Sequence, residues 1–145
     1  MRIKMEQQND KIDWVIILEA NDCSCDICGR REKNFIKGYC NATTDGMFRY
    51  KHPEFQLVLH LEHKLLLYTL NTLGLMVKSG RKFQDGDLID ELFEGYQAKL
   101  IEIEEYGKKV LRVIIPDPDH RFPEDPQCQL EYSYQALPIK DLYIK

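Results

Sequence analysis

The chain has no apolar run long enough to cross a membrane: its greasiest stretches, such as residues 73–77, fall far short of the roughly 20 residues a bilayer requires. Nor do residues 1–10 contain an apolar segment followed by a small-residue cleavage site, so no secretory leader is expected and the reading places the protein in the cytoplasm. A glycine-rich phosphate loop, a Gly-x-Ser-x-Gly elbow and a dinucleotide fingerprint are all missing, which takes weight from nucleotide-dependent and serine-hydrolase chemistry. A large excess of charge of one sign is missing as well. The 20 Lys plus Arg and 24 Asp plus Glu leave a net charge of −4, which argues against coating nucleic acid by overall charge, although a local basic patch is compatible with it. Without repeats or low-complexity tracts, 145 residues at 43% hydrophobic and 30% charged predict one domain, residues 1–145, with a packed core.

What is present is a sequence of short elements. Residues 14–18 are β-branched and apolar, predicting a strand buried on both faces. Residues 39–43 and 55–60 read as two further strands, separated by an Asp45-Gly46 turn and by His52-Pro53, which forces extended backbone. Leu66, Leu70, Leu73 and Val77 recur at helical spacing and predict a core helix over residues 62–79 that Gly80 stops. Asp87 is suited to cap a short helix through Glu94, and Gly95 would end it. Residues 96–103 and 110–115 form an antiparallel pair across Glu104 to Gly107. Residues 130–137 alternate well enough for a closing strand, and residues 140–145 are expected to fray.

The compositional oddity is five cysteines, three of them at Cys23, Cys25 and Cys28. In a reducing compartment such a cluster binds metal more often than it forms disulfides. With Cys40 the triplet offers four soft ligands for a structural zinc, and Gly29 permits the tight turn of a Cys-x-x-Cys half-site. His52, His60 or His63 are alternatives to Cys40. A redox pair at Cys25 and Cys28 is a lesser option, and Cys128 reads as a lone thiol. The same insertion, residues 21–40, carries Arg30, Arg31, Lys33 and Lys37 against Glu32, with Phe35 and Tyr39 as stacking surfaces. That combination suits single-stranded nucleic acid, though a solvated basic loop is the commoner outcome of such a charge run.

Two other clusters carry polar chemistry. His60 and His63 stand three apart, without the four-residue step and adjacent glutamate of an HExxH zinc site. Residues 116–126 hold four prolines and gather Asp117, Asp119, Glu124 and Asp125 around His120 and Arg121, which predicts a stiff loop able to present a ligand site. It lacks the glycine and terminal glutamate of an EF-hand loop. Its alternative role is a surface crossover whose Phe122 plugs the core.

Taken in order, Ala42-Thr43-Thr44-Asp45-Gly46-Met47, His52-Pro53-Glu54, the leucine-rich helix ending at Gly80, Phe83 with Gly86, and the run from Pro116 to Pro123 with Gln135 resemble one bacterial family, domain of unknown function 4262. The likeness spans roughly residues 14–138. Thr43 departs from it by standing where the family usually has an aromatic, Glu124 where tryptophan often follows Phe-Pro, and Ala136 where proline follows glutamine. The cysteine insertion lies outside the general pattern, so a metal there would be a feature of this branch. The resemblance implies a fold and little chemistry. Its element order is similar to flavin-binding split barrels, an analogy that would make Thr43, Thr44, Arg81 and Lys82 phosphate contacts of FMN.

The sequence thus predicts a single α+β domain: a mainly antiparallel, split-barrel-like sheet packed against one long helix, with a cysteine-rich insertion over residues 21–40. Its expected function is a cytoplasmic, non-catalytic binding module for a protein or small-molecule partner, stabilised by zinc. An FMN-dependent oxidoreductase is the enzymatic alternative, and single-stranded nucleic-acid binding the weaker one.

Overall fold

The computed structural model describes residues 12–21 and 34–144; Cys23, Cys25, Cys28, Arg30, Arg31 and Lys33 lie outside the described residues. Short β-rich runs become strands β1 (Val15–Glu19), β2 (Tyr39–Asp45), β3 (Glu54–Leu59), β4 (Leu88–Phe93), β5 (Tyr96–Glu105) and β6 (Lys108–Ile114). Among the described residues these make one open sheet in the order β1-β2-β3-β6-β5-β4. All pairings are antiparallel except the central one, where β3 and β6 run parallel with Gln56 opposite Arg112. A parallel pair cannot be joined by a tight turn. Here the crossover carries the helix α1 (His63–Lys78) and the β4–β5 hairpin.

Alternation along the strands divides the sheet into two faces. On one, α1 lays Leu66, Leu70, Leu73 and Val77 against Ala42, Phe55 and Leu57, and the same core continues under β4 and β5 through Ile89, Leu92 and Leu100. Trp14 pins this side. Its indole Nε1 donates to Asn71 Oδ1 at 2.9 Å, and the ring packs so tightly that a Cβ at Gly74 would fall 2.4 Å from Trp14 Cζ2.

On the opposite face a second, smaller core joins Phe35, Tyr39 and Val58 to Ile139 and Leu142 of the C-terminal segment. Beside it runs a buried polar chain. Arg112 is fully buried and donates from Nε to Gln56 Oε1 at 2.8 Å, from Nη2 to Glu105 Oε2 at 3.1 Å, and from Nη1 to the carbonyls of Gln135 and Leu137. Burial pulls its guanidinium down to about 10, with Glu105 opposing, so it stays charged at neutral pH.

Several expectations are corrected. The sheet is mixed and open, not a mainly antiparallel split barrel packed against one long helix: the parallel β3–β6 pair sits at its centre, β1 and β4 are its ends, and α1 is a 16-residue helix that packs chiefly against β2, β3, the 3-10 turn Met47–Tyr50 and Trp14. β1 is not buried on both faces, because as an end strand it leaves Val15 and Ile17 60% and 52% exposed. The short helix expected from Asp87 to Glu94 is strand β4: Ile89, Leu92 and Phe93 have spacings that would also line one face of a helix, but pairing with β5, with a register shift between Ile89 and Phe93, makes the segment a strand. Asp87 instead caps a turn, accepting the Gln84 N–H at 2.9 Å. Residues 130–137 form helix α2 (Leu130–Ser133) and a 3-10 turn in place of a strand. Residues 142–144, expected to fray, are tied down: Ile36 donates to Leu142, Ile144 to Asn34, and Phe35 bridges Tyr143, while Lys145 lies outside the described residues. The antiparallel β5–β6 hairpin and the helix within residues 62–79 form where the sequence places them.

The Trp14–Gly74 contact yields a test. Gly74→Ala would stabilise an exposed helix by about 1 kcal/mol, yet here it is expected to destabilise by about 1–3 kcal/mol through overpacking. Urea denaturation midpoints check this, and Trp14→Phe in the same chain should recover part of the loss. A midpoint that rises in Gly74→Ala contradicts the packing described.

Candidate functional site

The proline loop is built around Asp117. Its carboxylate is buried and accepts three backbone N–H groups, from Asp119 and Arg121 at Oδ1 and from Gln129 at Oδ2, each at 2.9 Å. Burial works to raise its pKa, but the backbone donors of Arg121, Gln129 and Asp119, aided by the Arg121 charge, outweigh it and hold the carboxyl below the usual range. The remaining acids of the loop are engaged as well. Asp119 pairs with Arg121, Glu124 with Lys99 at 2.9 Å, and Asp125 accepts the Gln127 N–H at 2.8 Å. Hydrogen bonding to Lys99 lowers the Glu124 carboxyl. These acids therefore serve as scaffold, although the Asp119 and Glu124 side chains stay more than half exposed.

His120 has a backbone φ of 66°, the left-handed region that costs a non-glycine residue about 1–2 kcal/mol. Its N–H closes a turn onto Asp117 O at 2.8 Å, and the Asp117 N–H returns to Arg121 O at 2.9 Å. That geometry turns the imidazole toward β5, where it stacks on Tyr96 with ring centroids 5.1 Å apart and planes 30° from parallel. Between this loop and the β4–β5 turn at Glu94 and Gly95 lies an open cleft of 620 Å³. Phe93, Pro116 and Phe122 supply its apolar walls, and Asp90, Glu94 and Gln97 its polar ones. Gln97 Nε2 donates to Asp90 Oδ1 at 2.5 Å, which fixes the carboxylate across the hairpin. A backbone held in a costly conformation at the mouth of a cleft is a recognised mark of functional sites.

Of the candidate site residues drawn from sequence, His120 lines this cleft; Phe122, read as a core plug, is half-buried and forms part of its wall. Asp117, Asp119 and Arg121 hold the loop from behind. The phosphate set proposed by analogy is not assembled: Thr43 and Thr44 face opposite sides of β2, Thr44 is buried with its hydroxyl donating to Glu54 at 2.8 Å, and Arg81 pairs with Glu91 while stacking on Phe83. Lys82 is exposed. Cys40 is buried on β2 within the larger core, its thiol 3.9 Å from Leu57 O. His52 uses both ring nitrogens internally, Nδ1 donating to Pro53 O at 2.8 Å and Nε2 accepting the Phe83 N–H at 3.0 Å, so it is not poised as a metal ligand. His60 and His63 have ring centroids 6.2 Å apart. Among the described residues no group of three or more His, Cys, Asp or Glu is placed to hold a metal ion. Phe35 and Tyr39, expected as stacking surfaces for nucleic acid, are buried in the second core because β2 alternation and the Tyr143 contact turn them inward; Lys37 beside them is exposed. Cys128 is half-buried, and burial followed by nearby Asp117 and Asp125 raises its thiol, which disfavours a reactive thiolate.

Sequence reasoning missed Asp90, Glu94, Tyr96 and Gln97, because β4 read as a helix that Gly95 ended. The signal present was Glu94-Gly95 between two apolar runs, a hairpin turn with Gly95 at φ 81°.

The Asp117 bonds predict a pH effect. Because its carboxyl titrates lower folded than unfolded, its stabilisation is complete above the ordinary carboxylate pKa of about 3.9 and is lost as pH falls through the folded value. Asp117→Asn should lower the melting temperature near neutrality and flatten the decline below about pH 4. Thermal unfolding across that range checks it, and an acid limb unchanged from the parent chain would contradict the bonding described.

No curated protein and no solved structure matches this chain. A family model does, that of a domain of unknown function, DUF4262, over residues 34–129, which takes in β2 to β6, α1 and the whole proline loop. The motifs in that span occupy structural posts: Glu54 caps Gly46 and Met47, His52 ties β3 to Phe83, and Asp117 organises the loop behind the cleft. The chain belongs to the DUF4262 family.

Proposed function

We propose that the protein is a binding module whose ligand occupies the cleft between the Glu94-Gly95 turn and the proline loop. The observation that carries this reading is His120, held left-handed by a loop anchored on three Asp117 hydrogen bonds and stacked on Tyr96 at the cleft wall. A surface crossover has no need of that geometry, and glycine would serve it better. The cleft volume falls within the range of small-molecule and side-chain pockets.

His120→Gly separates the two roles. Glycine accepts the backbone angle, so the melting temperature should hold or rise, while binding should fall at least about tenfold if the imidazole is a wall of the site. Amide NMR titrations with N-acetylarginine amide, inorganic phosphate and phenol supply the readout. At least one probe should shift Gly95, Tyr96 and His120 saturably. No saturable shift from any of them, or shifts untouched by His120→Gly, would overturn the reading.

A structural zinc is proposed as a second feature, carried by the spacing of Cys23, Cys25 and Cys28, with Cys40, His60 or His63 as the fourth ligand. The described geometry favours the histidines over the core-buried Cys40: their rings are neighbours, and His60 N–H bonds Gly38 O at 2.8 Å, near the end of the insertion. Elemental analysis of protein purified without added metal should give about one equivalent of zinc, reduced by His60→Ala with His63→Ala, whereas less than about 0.2 equivalents in the parent chain rejects it.

A further inference from the structure

We infer that His52 is an acid-sensitive latch: its neutral imidazole fastens residues 80–84, which follow α1, to the chain entering β3, and protonation of the ring releases them. The latch does not depend on what occupies the cleft.

Local backbone geometry puts the ring in place. Lys51, at φ 56°, ends the 3-10 turn Met47–Tyr50 by donating to Phe48 O at 3.0 Å, and the His52 N–H follows onto Met47 O at 3.3 Å. His52 is buried, with the Phe55 ring 5.1 Å away and tilted by 32°, and the Phe83 ring edge-on at 6.1 Å. Both ring nitrogens are bonded, and the bonds fix the tautomer. A backbone N–H can only donate, so Nε2, 3.0 Å from Phe83 N, carries a lone pair. The ring hydrogen is then on Nδ1, where Pro53 O accepts it at 2.8 Å.

That arrangement exists only for the neutral ring. A second proton goes to Nε2, the nitrogen with the lone pair, and sets two N–H groups facing each other across 3.0 Å. The new charge also lacks a partner. The charged groups on the segments packed against the ring are Lys51, Glu54, Arg81 and Lys82. Glu54 is turned to Thr44, Gly46 and Met47, Arg81 pairs with Glu91 and stacks on Phe83, and the two lysines are themselves cations. Among the described residues no acid pairs with His52. The Phe55 and Phe83 rings attract a cation, but ring surface alone does not replace the water and the counter-charge that burial denies it. Protonation therefore drives the imidazole and the Phe83 N–H apart. The opening has a boundary: Gly86 donates to Leu100 O at 2.7 Å and Leu100 to Asp87 O at 2.8 Å, backbone bonds without a titrating group that keep the next turn on β5. The Phe83 bond is thus present above the pH at which the ring takes up its proton and lost below it.

The test follows the full chain by NMR from about pH 8 to about pH 5, a range that brackets an ordinary histidine at about 6.5 and stays above the acid limb of Asp117. Imidazole nitrogen shifts should place the ring hydrogen on Nδ1 at the alkaline end and show His52 charged at the acid end. Over the same transition the Phe83 amide should move upfield and its hydrogen-exchange protection factor should fall at least about tenfold, while those of Gly86 and Leu100 change by less than about twofold. His52→Gln offers Phe83 a carbonyl acceptor that does not titrate, and should hold the Phe83 protection level across the range. If that variant does not fold, the coincidence of the ring and amide transitions in the parent chain remains the deciding readout. A His52 ring still neutral at the acid end overturns the latch. So does a Phe83 amide that stays protected while the ring titrates, or one that titrates with His60, His63 or His120 instead.

Discussion

The guanidinium of Arg112 is the group around which the rest of the molecule is arranged. It emerges from the central strand β6, opposite Gln56 of the parallel partner β3, and satisfies four of its five donors inside the protein. Removing such a charge from water costs several kcal/mol, and the pairing repays it only when the geometry is complete. Completion here requires three separate parts of the chain: β3 through Gln56, the end of β5 through Glu105, and the carbonyls of Gln135 and Leu137. Glu105 in turn accepts the Ile139 N–H at 3.2 Å, and Gln56 passes the network to Asn41 on β2 at 2.9 Å. The network therefore fixes strand order and C-terminal path together, a specificity that an apolar patch of equal area would not impose.

From there the constraint reaches the cleft. Gln135 gives its backbone carbonyl to Arg112 and its side chain to Ile115, accepting the Ile115 N–H at 2.8 Å and donating to Ile115 O at 2.7 Å. Ile115 is the last residue before Pro116, so the loop leaves β6 in a fixed direction. Two residues on, Asp117 takes over and sets the turn that raises His120. The opposing wall is equally determined, because β4 and β5 are held by their own pairing and by the larger core beneath Phe93. A site walled by a proline-stiffened loop and a hairpin, each locked from behind, loses little freedom when a ligand arrives.

What the sequence disclosed follows from the range of the interactions concerned. The helix was legible because Leu66, Leu70, Leu73 and Val77 encode its buried face locally, and the β5–β6 hairpin because Tyr106 and Gly107 encode its turn. The parallel β3–β6 pair was not, since nothing local to residues 54–59 or 108–114 states which strand lies alongside. β4 was misread for a related reason: Asp87 is equally suited to cap a helix or a turn, and only pairing with β5 decides between them. In the site, the proline loop was visible as a stiff, acidic segment, but density of charge said nothing of its use. Asp117, Asp119, Glu124 and Asp125 engage backbone and side-chain partners within reach, and the acids that line the cleft, Asp90 and Glu94, come from β4 and the turn after it, distant in sequence.

The same argument bears on where the folding unit ends. The family match stops at residue 129, yet Arg112, inside it, finds two acceptors at Gln135 and Leu137, and Glu105 finds its backbone donor at Ile139. At the other end Trp14, before the matched span, fills the space that Gly46 and Gly74 leave open within it. A glycine with no room for a Cβ and an arginine with no access to water are each half of an interaction. Their missing halves lie in residues 14 and 135–139, so the matched segment is the larger part of a unit that closes only when both flanks are folded onto it.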